Sequence, residues 1–136
     1  MKVLFDLNIL IDFYFNRLPW ADHAGVSLSL VASERCQGLL CATAIDHLHY
    51  LGRRMSGLDK ARRAVEVSLQ LFEIAPVDAA ILKMALAMQQ SDFEDNIVIA
   101  SGVRAGCELI CSRDASGFRA APVPVVTAKD LAEQLH

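Results

Sequence analysis

Lys2-Val-Leu-Phe-Asp-Leu-Asn-Ile-Leu-Ile-Asp-Phe-Tyr-Phe15 is the stretch that decides the fold class. Its first four residues are an apolar run of strand length ending at Asp6, and residues 8–15 carry apolar side chains at helical spacing. A strand, an acidic turn and a helix make the opening half of a parallel β–α–β unit. Working outward, the sequence predicts a helix over 21–35, between Pro19 and Gly38, and then a strand over 39–42. Thr43 reads as the cap of a helix over 44–54, with Ile45, Leu48 and Leu51 on one side and Ser56-Gly57 at its end. Asp59 reads as the cap of a helix through Leu71, followed by a strand over 73–75 ahead of Pro76 and a helix over 78–89.

Ser91-Asp92-Phe93-Glu94 matches the S-x-x-E capping box, so a helix is expected from Asp92 to near Gly106. Strands over 108–112 and 123–126 and a last helix from Ala128 complete the pattern. Short apolar strands alternating with helices predict an α/β fold, a single domain over 1–136. Its architecture is a three-layer α/β/α sandwich around a parallel sheet of four or five strands, with the first strand central.

Composition narrows the function classes. The 136 residues are 54% hydrophobic and 21% charged, which excludes a chain that is mainly disordered. Thirteen Lys and Arg against sixteen Asp and Glu exclude a protein that coats nucleic acid by bulk charge. Asp6, Asp12, Asn16 and Arg17 interrupt the most apolar stretch, which excludes a membrane span or secretory leader there and leads us to expect a cytoplasmic protein. Cys36, Cys41, Cys107 and Cys111 form no C-x-x-C pair and read as reduced, buried thiols. The high hydrophobic content also predicts apolar surface left over for a homodimer.

In an open α/β sheet the site lies outside the carboxyl ends of the strands. The polar residues there are Asp6, then Asp46 with His47, the cluster Asp92, Glu94 and Asp95, and Asp114. Carboxylates brought together repel unless a cation neutralises them, and hard oxygen donors suit Mg²⁺ or Mn²⁺. Phosphodiester hydrolysis is the chemistry this pattern favours. Plainer roles exist for each acid: Asp92 and Asp95 suit the positive end of a helix dipole, Glu94 the capping box, and Asp114 a turn. Asp12, one helical turn from Asn8, suits a solvated charge. His47 and His49 point to different sides of their helix and make no zinc pair. No phosphate-binding glycine loop and no nucleophile elbow occurs. Arg53, Arg54, Lys60, Arg62 and Arg63, with only Asp59 among them, form the one basic patch, suited to a phosphate backbone or to a solvated helix face.

Three segments carry a family resemblance. Val3-Leu-Phe-Asp-Leu-Asn-Ile-Leu-Ile-Asp12 resembles the V-x-x-D-T-N-V-L-L-D opening of PIN-domain ribonucleases, with Leu7 where Thr is usual. Ser91-Asp-Phe-Glu-Asp-Asn-Ile-Val-Ile-Ala100 resembles their D-F-E-D-A-L-x-x-A helix start, and Leu109-Ile-Cys-Ser-Arg-Asp114 their I-V-T-R-D strand end. The group includes VapC-like toxins of bacterial toxin-antitoxin pairs. The resemblance implies an RNA-cleaving site in which Asp6, Asp95 and Asp114 hold Mg²⁺ or Mn²⁺, supported by Asn8, Asp92 and Ser112. It also implies an antitoxin protein as partner, and it points to a homodimer as well. Two departures stand out: His47 occupies the place of a usual Glu, with Asp46 one residue earlier, and Gly117 stands where Asp is common before Phe118. The same segments also suit a PIN-like module that binds RNA or a partner without cutting. A receiver-type signalling domain fits less well, since Asp6 has no adjacent second acid.

Overall fold

The computed structural model describes residues 1–90 and 92–135, so Ser91 of the expected capping box lies outside the described residues. Five parallel strands, β1 (Lys2–Phe5), β2 (Gln37–Cys41), β3 (Glu73–Ala75), β4 (Leu109–Cys111) and β5 (Val125–Val126), form one sheet in the order β3-β2-β1-β4-β5. The helices are α1 (Leu7–Tyr14), α2 (Ala21–Ala32), α3 (Ala42–Ser56), α4 (Leu58–Leu71), α5 (Ala79–Ala87), α6 (Phe93–Arg104) and α7 (Ala128–Leu135), and a 3₁₀ turn spans Ala115–Phe118. The parallel sheet with the first strand central is as expected.

Alternation along the strands sorts side chains to two faces. Val3, Phe5, Leu40, Leu109 and Cys111 join the core with α1, α2 and α7, whereas Leu4, Leu39, Cys41 and Ile110 pack toward α5 and α6. Both faces are therefore apolar, which is why the strands read as continuous hydrophobic runs. All four cysteines are free and buried, as expected. No described helix is long and apolar enough to cross a membrane.

Several boundaries differ for local reasons. The second helix stops at Ala32 rather than residue 35, because Glu34 takes φ 61° while its N–H and that of Arg35 bond the carbonyls of Val31 and Leu30. This closure normally employs glycine, as Gly106 does after α6 with φ 88°. Gly38 instead lies inside β2, where a Cβ would stand 2.6 Å from the Phe72 ring. Thr43 and Asp59 cap nothing: α3 follows Cys41 and α4 follows Gly57, so both residues fall in first turns. The buried stripe of α3 is Ala44, Leu48 and Gly52, with Leu51 exposed, because glycine at 52 admits the Phe15 ring and the backbone of Ala61.

Candidate active site

The sheet order reverses direction at β1. Chain order runs outward from β1 to β2 and β3, then jumps to β4 on the other side, so the crevice at the carboxyl ends of β1 and β4 is the topological switch point. Phe5 and Cys111 are in register, and the Asp6 N–H donates to the Cys111 carbonyl at 2.9 Å. The residues just past the strands are thereby set side by side. Ser112 donates its hydroxyl to Asp6 Oδ2 at 2.7 Å, while Ser112 Oγ accepts the Asp114 N–H at 3.0 Å and Asn8 Nδ2 at 3.4 Å. Asn8 Oδ1 is buried with no hydrogen-bond partner among the described residues.

Asp95 enters from the first turn of α6, where its N–H is capped by the Asp92 carboxylate at 3.0 Å. The cap of this helix is thus Asp92 itself. Burial and the negative charges of Asp92, Asp6, Asp114 and Glu94 push the Asp95 carboxyl up to about 6. Burial also raises Asp6, opposed chiefly by the Ser112 hydrogen bond, with Asp114 raising it further. Asp114 is exposed and its Oδ1 accepts the Ser116 N–H at 3.2 Å, so it serves the turn as well as facing the other acids.

Two adjoining cavities share Asp95. One, about 360 Å³, is bounded by Asp6, Leu7, His47, Phe93, Glu94 and Asp95. The other, about 620 Å³, is bounded by Gln90, Asp92, Asp95, Asp114, Gly117 and Arg119. The structure therefore brings together Asp6, Asp92, Asp95, Asp114, Asn8 and Ser112, but not Asp46. Asp46 is exposed and lines neither cavity, because one helical residue turns a side chain by about 100°, and it is His47 that faces the acids. Arg53, Arg54, Lys60, Arg62 and Arg63 are all exposed on the α3–α4 hairpin. Arg53 is six residues along α3 from the cavity-lining His47, about 9 Å of helical rise. Arg54 there stacks on Tyr50, and Arg63 pairs with Glu66 at 3.3 Å.

Asp12 is not a solvated charge. It is fully buried and accepts Arg113 Nε at 2.7 Å and a second guanidinium nitrogen at 3.1 Å, with the guanidinium 4.1 Å from the Trp20 ring centre. Gln90 and Asn96 are also absent from the sequence-based site. Gln90 Nε2 donates to Asn96 Oδ1 and to the Gly117 carbonyl, at 3.0 and 2.8 Å, holding the 3₁₀ turn beside Asp95. The signal for Asn96 was legible: an amide inside the apolar run of a buried helix needs partners, and it finds the carbonyls of Ala85 and Gln90.

Among the described residues no three His, Cys, Asp or Glu side chains stand close enough to enclose an ion. Mutually repelling carboxylates beside an orphaned amide oxygen nevertheless fit a hydrated hard cation, which keeps several waters and takes few protein ligands.

No curated protein matches the chain. Solved structures do: the chain is similar to VapBC2 from Rickettsia felis bound to a promoter DNA fragment, with TM-score 0.70, 12% identity, and 93% of this chain and 98% of that chain covered. It is similar to the Mycobacterium tuberculosis toxin VapC20, whose structure is described as that of a Sarcin-Ricin loop cleaving toxin, with TM-score 0.69, 15% identity, and 85% and 92% covered. FitAcB from Neisseria gonorrhoeae gives TM-score 0.64 and 17% identity, with 93% and 97% covered. At these identities the likeness is one of fold, and a family model described as PIN domain matches residues 2–116. Matched over most of its length and carrying its acids at the switch point of a five-stranded parallel sheet, the chain belongs to the PIN-domain family.

Proposed function

We propose that this protein is a Mg²⁺- or Mn²⁺-dependent endoribonuclease, the toxin of a toxin-antitoxin pair. The observation that carries the reading is the convergence of Asp6 and Asp114, at the ends of β1 and β4, with Asp95 in the first turn of α6, which lines both cavities and whose carboxyl burial and these neighbours push up. Such mutual repulsion costs stability and is relieved by a cation. Asp6, Asp95 and Asp114 would hold it, directly or through water. A bound Mg²⁺ or Mn²⁺ supplies Lewis-acid polarisation of the phosphate and activation of water.

The remaining chemistry belongs to the chain. Ser112 fixes the Asp6 carboxylate by hydrogen bonding and is itself fixed by the Asp114 N–H. Asp92 anchors the first turn of α6 and so orients Asp95. Asn8 keeps a buried amide oxygen without a partner among the described residues, suited to an internal water, while its amide nitrogen donates to Ser112. His47, on the wall of the cavity that Asp6 and Asp95 also line, offers an imidazole where a scissile phosphate would lie. The basic hairpin bearing Arg53, Arg54, Lys60, Arg62 and Arg63 would take the phosphate backbone beyond the reacting group. The toxin role and an antitoxin partner are supported by the likeness to VapBC2, VapC20 and FitAcB; the chain would also pair as a homodimer. Exposed Leu82, Met84 and Leu86 on α5 offer apolar surface for association.

The test is cleavage of a mixed pool of structured RNAs with Mn²⁺ and with chelator, at low salt. Wild-type protein should cut with metal only, and Asp6→Asn, Asp95→Asn and Asp114→Asn should abolish cutting without lowering the thermal midpoint. RNA binding with no cutting under either metal would replace this reading with that of a non-cleaving module.

A further inference from the structure

We propose that the cavity between the N-terminal ends of α2 and α7 is a nucleotide subsite for single-stranded RNA. The base lies on Trp20 and the adjoining phosphate on Arg113 and Lys129. The choice of RNA as ligand rests on the nuclease reading above.

The cavity, about 340 Å³, is lined by Asp12, Trp20, His23, Arg113, Thr127 and Lys129, with Ile9, Ala24 and Ala128 beneath. In a chain of net charge -3 this sets a guanidinium, an ammonium and an imidazole against the single carboxylate of Asp12 on one concavity. Trp20 retains 40% of its exposure although it is the largest apolar side chain of the protein. Its ring is not loose: the Arg113 guanidinium stacks on it at 4.1 Å and is itself fixed on the buried Asp12. A pre-set aromatic surface loses little entropy on binding, and base-on-aromatic stacking is the sequence-tolerant way proteins hold unpaired nucleotides.

Arg113 has donors to spare. The Asp12 pair engages two of its five N–H groups, leaving three for a phosphate. Lys129 and His23 are exposed, and Thr127 caps α7 through the Asp130 N–H at 3.1 Å, so the positive ends of two helices add to the field. Arg113, which lines this cavity, is close enough to Asp6 and Asp114 to feel both charges, so the cavity adjoins the acids, where the neighbour of a scissile phosphate would fall.

Trp20 is the only tryptophan, so its emission reports on this cavity alone. Wild-type protein in chelator, titrated with a mixed-sequence single-stranded RNA ten-mer, should show saturable quenching, weaker for the duplex form. Lys129→Glu should lower affinity at least fivefold. With labelled RNA, Trp20→Phe should stay within threefold of wild type, whereas Trp20→Ala should lose tenfold. Absent quenching, equal quenching by heparin, or an unchanged affinity in Lys129→Glu would overturn the subsite, and the last holds even if Trp20→Ala fails to fold. Quenching by an antitoxin peptide but not by RNA would assign the cavity to the partner instead and overturn it too. The two readings separate cleanly: quenching without any cleavage in Mn²⁺ removes the nuclease and keeps the subsite, and cleavage without quenching does the reverse.

Discussion

Arg113 and Asp12, 101 residues apart, close a two-pronged ion pair at 2.7 and 3.1 Å beneath the candidate site. Arg113 is flanked in sequence by Ser112 and Asp114, so its anchorage sets the path of the segment from which both project. Asp12 is 1% exposed at the side chain and Arg113 is 29% exposed, hence the pair is buried on one side only.

Asp12→Asn removes the charge but keeps the shape, and it leaves a partly buried guanidinium without its counter-ion. A loss of about 3 kcal/mol in folding stability is expected, the lower end for breaking a buried pair because Arg113 keeps some solvent. Urea unfolding of the variant measures it, and a midpoint equal to that of the wild type would contradict the role given to the pair.

Asp95 predicts an unusual pH dependence. Its folded carboxyl holds a proton up to about 6, against the ordinary 3.8, so between those values the native state binds the extra proton. Stability due to this group is therefore full below about 4, falls as pH rises through the window, and is flat above about 6. Asp95→Asn should gain on the wild type in thermal midpoint across that interval. Added Mn²⁺ should raise the wild-type midpoint more at pH 7.5 than at pH 5, since the ion favours the ionised carboxylates.

Asp46 and His47 give opposite expectations. Asp46→Asn, at an exposed position off the cavity, should leave RNA cleavage within twofold, whereas His47→Ala should lower it at least tenfold. Single-turnover rates decide the matter, and the reverse pattern would return the role to Asp46.

Gly117 sits against the site with no room for a side chain. A Cβ there would stand 2.6 Å from Asp95 Oδ2, the far end of a flexible side chain. Gly117→Ala should therefore shift Asp95 at little cost, with folding stability changed by less than about 0.5 kcal/mol. Cleavage should fall several-fold, and an unchanged rate would mean that the placement of Asp95 is uncritical.

The parallel sheet, its central first strand and the acids at strand ends and at the start of α6 were legible in the order of residues. Short apolar runs are a local pattern, and Asp6, which ends the first of them, is an acid after a buried strand with few places to go. The strand over 73–75 and the breaks at Gly57 and Gly106 were legible on the same grounds. Whatever depends on contact between distant segments emerged on folding. Asp12 reads as a surface charge until Arg113 arrives from the end of β4 to bury it. Asp46 and His47 are indistinguishable until the packing of α3, set by Gly52 against Phe15 and Ala61, fixes which one turns inward. Gln90, Asn96 and Gly117 acquire their roles across a hydrogen-bonded loop, and Asp95 its raised proton affinity from burial and from carboxylates that include Asp6 and Asp114 on two other segments. Helix and strand periods are short-range properties of a chain, whereas burial, ion pairing and the mutual repulsion of charges are sums over neighbours that only the folded arrangement supplies.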